Sequence, residues 1–350
     1  MSAAQPIDPP AAPPTVVVTT AGSAPTAGTV QHLRALGYRV VATDIDPSAP
    51  GLYLADRAYL VPPGGSEAFV PELRGICLKE NAVAVVPLVD EELVPVAALA
   101  GDGIAVLLPR PEFVAACLDK YALMRRLEAA GLPVPRTALA SRWSGDPEPP
   151  LVVKPRTGRG SRGVTLSASA EDLNRLLTSG VWPGDQLVVQ EQVSGPEYTV
   201  SVVVWRDGEV QAVVPKEVIL KQGVTRFAVT RRHDRIAEVC RAVQRELRAD
   251  GPFNVQLALD ADGEPRVFEI NPRFSSTAPL TAAAGVDEIG GLLRQAVAGG
   301  PRLADDWREG VVMVRRSADE FLEESRFAEY GLDPAAGVPA GWPEPRAGGR

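Results

Sequence analysis

The chain is expected to form an α/β domain with a Rossmann-like parallel sheet, followed by an α+β domain, and three observations carry that expectation. Between residues 15 and 110, short β-branched runs alternate with helical segments, the pattern of a parallel sheet covered by helices on both faces. From about residue 113 the texture changes to strands joined by Asp-Gly pairs, at Asp207-Gly208 and Asp262-Gly263. Inside alternating runs such pairs mark hairpins. Ahead of both hairpins, a glycine-rich loop from Arg156 to Gly163 directly follows Val152-Val153-Lys154-Pro155. At roughly 150 residues per domain, a chain of 350 residues allows two or three domains with real cores.

In chain order, TVVVTT from Thr15 reads as the first strand, AGSAP as a turn and TAGTVQHLRALG as a helix ending at Gly37. YRVVATD, AVAVVPL and GIAVLLP supply further strands. Gly22 and Gly28 in the first turn and Asp44 at the end of the second strand occupy dinucleotide-fold positions, but the G-x-G-x-x-G fingerprint is absent. The sheet is therefore expected without a dinucleotide, and Asp44 as a strand-end or cap residue. FVAACLDKYALMRRLEAAG reads as one helix ending at Gly131. Helices are also expected near 170–179 and 233–249, with His233 at the start of the latter, and VVMVRR as a strand ending in Arg315 and Arg316. Residues 1–14 and 331–350, rich in Pro, Ala and Gly, read as tails. The sheet domain is assigned to 15–112 and the second domain to 113–330.

Lys plus Arg total 36 against 44 Asp plus Glu, a net charge of −8. That balance argues against coating nucleic acid or an anionic membrane, while leaving room for a local basic pocket. Three separated cysteines fit a reducing interior, and two histidines leave little for a zinc site or a histidine-dependent triad. No signal peptide and no apolar run of about 20 residues are evident, so a soluble cytoplasmic protein is expected.

The hairpins sort side chains. A two-residue turn at Asp262-Gly263 sets Asn254 opposite Asn271 and Gln256 opposite Glu269, with Arg273 on the same face. Val255 then faces Ile270, and Leu257 faces Phe268, on an apolar face. The polar face suits a hard cation such as Mg²⁺, or is a solvated sheet face. A turn at Asp207-Gly208 puts Glu197, Thr199, Ser201 and Lys216 on one face, and Val200, Val202 and Val204 on the other. Loop 156–163 carries Gly158, Gly160 and Gly163 with three arginines, able to wrap phosphate oxygens, but lacks the G-K-[ST] ending of a Walker loop. Glu91 and Glu92 read as helix N-terminal acids or as substrate contacts. The basic stretch from Lys221 to Arg232, including Arg226, reads as a solvated connector or a flexible cover for an anionic substrate.

Lys120 in L-D-K-Y-A, Lys154 in V-V-K-P, loop 156–163, V-V-Q-E-Q-V-S-G-P-E-Y-T-V, N-V-Q and F-E-I-N-P-R occur in that order. Over roughly residues 15–316 the chain resembles the ATP-grasp superfamily, closest to its carbamoyl-phosphate-synthetase-like branch in short, single-unit form. The resemblance implies a pre-ATP-grasp domain, then an ATP-grasp domain with a mobile lid at about 137–187. It implies that Lys120 and Lys154 contact the ATP phosphates and that Gly158, Gly160, Ser161 and Gly163 close over them. The backbone from Glu191 to Val193 would meet the adenine edge and Glu197 the ribose. Gln256, Glu269 and Asn271 would bind one or two Mg²⁺, with Mn²⁺ able to substitute, although many members have an acid where Gln256 stands. Arg273 and Lys216 would act at the transferred group, with Glu91, Lys221 and Arg226 as substrate candidates. The implied activity is ATP-dependent carboxylate–amine ligation through an acyl phosphate, with small-molecule partners, an amino acid among them, and possible homodimerisation. The alternatives are phosphorylation of bicarbonate or carbamate, and a nucleotide-binding module without turnover.

Overall fold

Three sheets organise the chain. The structure, a computed structural model, describes residues 13–158, 160, 162–178, 182–321, 323 and 325. All of 331–350, and 1–14 apart from residues 13 and 14, lie outside them, so the expected tails are not described.

The first sheet is parallel and built from β1 (Thr15–Val18), β2 (Arg39–Asp44), β3 (Arg57–Leu60), β4 (Ala82–Val86) and β5 (Ala105–Val106), in the order β3-β2-β1-β4-β5. Helices α1 (Thr26–Ala35), α2 (Pro50–Leu54), α3 (Phe69–Lys79) and α4 (Asp90–Val96) connect them. The β-branched runs are buried on both faces, with Val16, Val17, Val18, Val40, Val41 and Ala42 all at 0% exposure, as a doubly covered parallel sheet requires. The strand order reverses between β1 and β4, so the loops after these two strands diverge and open a crevice at their C-terminal ends. Asp44 is the structural residue expected: its carboxylate accepts from the Gly22 and Asp46 backbone N–H groups at 2.7 and 2.8 Å.

The helix expected through Gly131 is two helices, α5 (Pro111–Leu118) and α6 (Lys120–Ala129). Asp119 breaks them: its backbone is extended and its side chain caps α6, accepting from Ala122 N at 3.0 Å. The apolar periodicity runs through both helices and concealed the break. Its consequence is that Lys120 begins a helix instead of sitting inside one.

A four-stranded sheet, β6-β9-β7-β8, joins β6 (Thr137–Leu139), β7 (Leu151–Pro155), β8 (Thr165–Ser167) and β9 (Leu187–Glu191), and carries α7 (Ala170–Thr178). Its core is a small cluster of its own, around Leu151, Val153, Leu173, Leu187 and Val189.

The third sheet has the order β14-β13-β10-β11-β12-β15, from β10 (Glu197–Val204), β11 (Val210–Gln222), β12 (Val224–Thr230), β13 (Phe253–Leu259), β14 (Pro265–Asn271) and β15 (Val312–Val314). One face packs on α5, α6 and α8 (Asp234–Leu247) through Val200, Val202, Val204 and Val255. The other packs through Val203, Ala212 and Val214 on α9 (Ala278–Ala284) and α10 (Glu288–Ala298), which share one core with β1, β2 and β4. The first and third sheets are thus cemented together, whereas the four-stranded sheet has a separate, smaller core. His233 caps α8, its ring nitrogen accepting from Ile236 N at 3.3 Å.

Both hairpin registers match the sequence expectation where the polar side chains lie. Thr199 pairs with Lys216, Ser201 with Val214, Asn254 with Asn271 and Gln256 with Glu269. Nearer the turns both registers slip by one residue, Val204 pairing with Val210 in the first hairpin. A bulge after Gln256 pairs Leu257 with Val267, so Phe268 leaves the apolar face. The basic stretch from Lys221 is no connector either: β11 runs to Gln222, turns at Gly223 and returns as β12. Gly223 permits that turn with φ +70°, in the left-handed region. No helix among the described residues is long and apolar enough to cross a membrane.

Candidate active site

A cavity of about 390 Å³ lies where the three sheets meet. Its walls include the loop after β1 (Ser23, Ala24, Pro25) and the segment after β4 (Leu88, Val89), the two sides of the crevice in the parallel sheet. Lys154, Gly158, Gly160 and Arg162 come from β7 and the glycine loop, and Glu191, Gln192 and Val193 from the end of β9. Glu197, Lys221, Thr225, Gln256, Glu269, Asn271 and Arg273 complete it from the third sheet, with Lys120 from the start of α6. Sheet pairing sets Gln256 beside Glu269, and period-two alternation adds Asn271 to the same face.

Lys154 is 4% exposed. Its ammonium donates to Gln190 Oε1 at 2.8 Å and to Phe268 O at 3.0 Å, and lies 5.5 Å from the centre of the Phe268 ring. Burial pushes it down to about 8, Glu269 opposing and Lys120 and Lys221 assisting the shift. An ammonium held in a dry wall by neutral acceptors keeps most of its charge for an anion in the cavity. Gln190 is itself fixed by donating to Thr137 Oγ1 at 2.9 Å.

Lys120 donates to the Gly158 carbonyl, and its own N–H donates to Arg156 O at 3.0 Å. Asp119 grips the same loop by a two-pronged contact with Arg156, at 2.9 and 2.6 Å. The start of α6 and the base of the glycine loop therefore hold one another. Gly158, Gly160 and Gly163 all have φ between +66° and +108°, conformations that side chains disfavour. A Cβ on Gly163 would also come within 2.9 Å of the Pro155 ring.

Arg273 is pinned across the junction with the first sheet. Its Nε donates to Asp90 Oδ1 at 2.6 Å, with the two side chains only 14% and 11% exposed. A second donor reaches Asn271 Oδ1 at 3.2 Å. Glu197 pairs with Lys221 at 2.6 Å within the cavity.

Not every expected residue reaches these walls. Lys216 shares the face of Gln256 and Glu269 but is fully buried elsewhere: its ammonium donates to Ser201 Oγ at 2.6 Å and Thr281 Oγ1 at 2.7 Å. Ser201 in turn donates to the buried Glu288 at 2.8 Å. α9 and α10 cover this part of the sheet, which the sequence of the hairpin could not reveal. Lys216 is therefore an interior residue, linked to Glu288 through Ser201. Glu91 is exposed on α4 and outside the cavity lining, while its neighbour Glu92 is buried and accepts from Thr19, Thr20 and the Leu88 and Val89 backbone. Arg226 lies on β12 outside the lining, as does Gly163 at the far end of its loop. Ser161 falls outside the described residues.

Several residues at the site escape the sequence reading: Asp90, Ser275, Ser276 and the loop at Ser23–Pro25, while Phe268 is expected on the apolar face and lines the cavity instead. Asn254 lies on the polar face of the second hairpin, as expected.

No group of three or more His, Cys, Asp or Glu that could hold a metal occurs among the described residues. The donor set on the β13–β14 wall of the cavity is one carboxylate, Glu269, with the amide oxygens of Gln256 and Asn271. That set fits Mg²⁺, which retains water and phosphate oxygens as ligands, and does not fit a metal needing an all-protein cage.

Comparison with known proteins agrees with this architecture. Residues 184–317 match a family described as ATP-grasp in the biosynthetic pathway with Ter operon. Residues 16–102 match the PylC-like N-terminal domain. The expected ATP-grasp likeness is thus borne out over residues 184–317. An uncharacterized protein of Sinorhizobium fredii is 30% identical over 66% of this chain and 52% of its own length. A D-alanine--D-alanine ligase of Corynebacterium aurimucosum is 33% identical over 29% of this chain and 31% of its own. This chain thus spans about half or less of these relatives. Among solved structures, the biotin carboxylase domain of Hydrogenobacter thermophilus 2-oxoglutarate carboxylase, in complex with MgADP, ADP and bicarbonate, superposes with TM-score 0.67. It is 18% identical and covers 85% of this chain and 73% of that one.

Proposed function

We propose that the cavity uses ATP to activate a carboxylate and passes it to an amine, forming an amide or peptide-like bond with release of ADP and phosphate. The observation that carries this reading is the convergence of Lys120, Lys154, Gln256, Glu269, Asn271 and Arg273 on one cavity. Phosphoryl transfer needs positioning and charge compensation more than covalent help from the protein, and these residues supply both. Lys120 and Lys154 hold the phosphates, the backbone at 191–193 meets the adenine edge, and Glu197 holds the ribose hydroxyls. Glu269, Gln256 and Asn271 would hold Mg²⁺, which when bound neutralises phosphate oxygens. The four-stranded sheet with α7 and the loop at 158–163 acts as the lid, and its separate small core suits an element that moves alone.

In the first step a carboxylate oxygen attacks the γ-phosphorus and ADP leaves, giving an acyl phosphate. In the second an amine attacks the acyl carbon, the carbon–oxygen bond breaks and phosphate departs. Arg273 lies where it can stabilise the charge of the transferred group. Lid closure excludes the water that would hydrolyse the intermediate. Kinship with a D-alanine--D-alanine ligase supports an amino acid as one substrate.

Phosphate release from MgATP against a panel of amino acids tests this directly. Release is expected only when a particular carboxylate and amine are both present, and hydroxylamine in place of the amine should give a hydroxamate. Release with bicarbonate alone would instead identify a bicarbonate-phosphorylating enzyme.

A further inference from the structure

Arg315 immediately follows β15, the edge strand of the third sheet, and is far from Arg273 in sequence. Its guanidinium pairs with no carboxylate among the described residues and instead donates to three backbone carbonyls. Nη1 reaches Ala24 O at 2.9 Å, Nη2 reaches Ser276 O at 2.6 Å, and Nε reaches Thr225 O at 3.0 Å. Its own N–H donates to Arg226 O at 2.8 Å, fixing the backbone from which the side chain extends. Ala24, Thr225 and Ser276 all line the cavity. They belong to the loop after β1, the start of β12 and the loop between β14 and α9, three segments with no continuity in the chain. Burial, with Arg226 nearby, lowers the Arg315 guanidinium from its ordinary value. A half-buried charge spent on neutral acceptors loses part of its hydration without gaining a counter-charge. A planar fork with five donors is suited to hold three carbonyls spread around its rim, a geometry that the compact ammonium of a lysine does not match.

We propose that Arg315 is a positioning residue: it pins three wall segments so that the carboxylate substrate meets them as one rigid surface, while nucleotide binding does not depend on it. This rests on the ligase reading, because it assigns these walls to substrate. Among the described residues no hydrogen bond or ion pair joins Arg315 to Lys120, Lys154, Gln256, Glu269 or Asn271.

The experiment compares wild type with Arg315→Gln and Arg315→Lys. Three quantities are read: hydrogen exchange at residues 23–26, 224–227 and 275–278, the Kd for MgADP, and hydroxamate kinetics with the amino acid that wild type turns over best. In Arg315→Gln all three segments should gain exchange together while MgADP affinity stays within about 2-fold. KM for the amino acid should rise by about 10-fold or more with a smaller change in kcat, the signature of lost substrate positioning. Arg315→Lys should recover only part of this, and it serves as the test variant if the glutamine protein fails to fold. Unchanged exchange in these segments, an unchanged KM, or a loss of MgADP affinity equal to the rise in KM would overturn the proposal. If no amino acid is turned over, the ligase reading fails by itself, and the exchange data with the MgADP Kd decide whether Arg315 pins the walls.

Discussion

Two lysines on different sheets, Lys154 and Lys216, are buried to nearly the same extent, and burial pushes both down to about 8. Their surroundings separate them. Lys154 sits in a cavity wall, held by an amide and a carbonyl oxygen, with Lys120 and Lys221 adding positive charge and Glu269 the opposing carboxylate. Lys216 is sealed under α9 and α10, held by two hydroxyls and faced by Glu288, whose own carboxyl is pushed up by burial. The first arrangement leaves a cation open to an anionic ligand, and the second closes a polar network inside the molecule, in which Ser201 bridges Lys216 and Glu288. A depressed lysine is thus not by itself a functional site, and the cavity decides which one is.

The comparison breaks if loss of a residue at the cavity unfolds the protein. Glu269→Ala should lower turnover by about 10³-fold or more while circular dichroism and thermal midpoint stay near wild type. Lys216→Met should do the reverse. Leaving Glu288 buried without its cation should destabilise the protein by about 3–5 kcal/mol, read as a lower urea midpoint. Adding Glu288→Gln to that variant should restore part of the loss, whereas MgADP affinity of the folded fraction should be unaltered in both.

Lys154→Met gives a smaller, opposite result. Removing one charge-assisted contact to phosphate should weaken MgADP by about 10- to 100-fold, measured by calorimetry, without lowering stability. A gentler probe is pH. Below about 8 the Lys154 ammonium is charged, and above it the free protein holds a neutral amine. MgADP affinity should therefore be level below that pH and decline above it, with proton uptake on binding in the upper range. An equal decline in Lys154→Met would assign the titration to another group.

Most of the polar face was legible in the sequence because strand side chains alternate with a fixed period. Gln256, Glu269, Asn271 and Lys216 all share the expected face. What alternation cannot convey is which part of a face another element covers. Lys216 lies under α9 and α10, encoded well downstream, and the Asp90 partner of Arg273 comes from the first sheet domain. Local backbone events were equally silent. The bulge that turns Phe268 toward the cavity, and the Asp119 cap that splits the expected long helix, each depend on one residue whose hydrophobic pattern is unremarked. The basic stretch at 221–232 was misread because charge suggested a loop, although Val224, Phe227 and Val229 continue a strand.

The central claim is that this cavity makes an acyl phosphate, and oxygen-18 transfer tests it most directly. Once the panel has identified the carboxylate substrate, that substrate is labelled in its carboxylate oxygens and incubated with the protein, MgATP and amine. The expected product is phosphate carrying one labelled oxygen, because the carboxylate oxygen stays with phosphorus when the amine attacks. Product formation with unlabelled phosphate would contradict it.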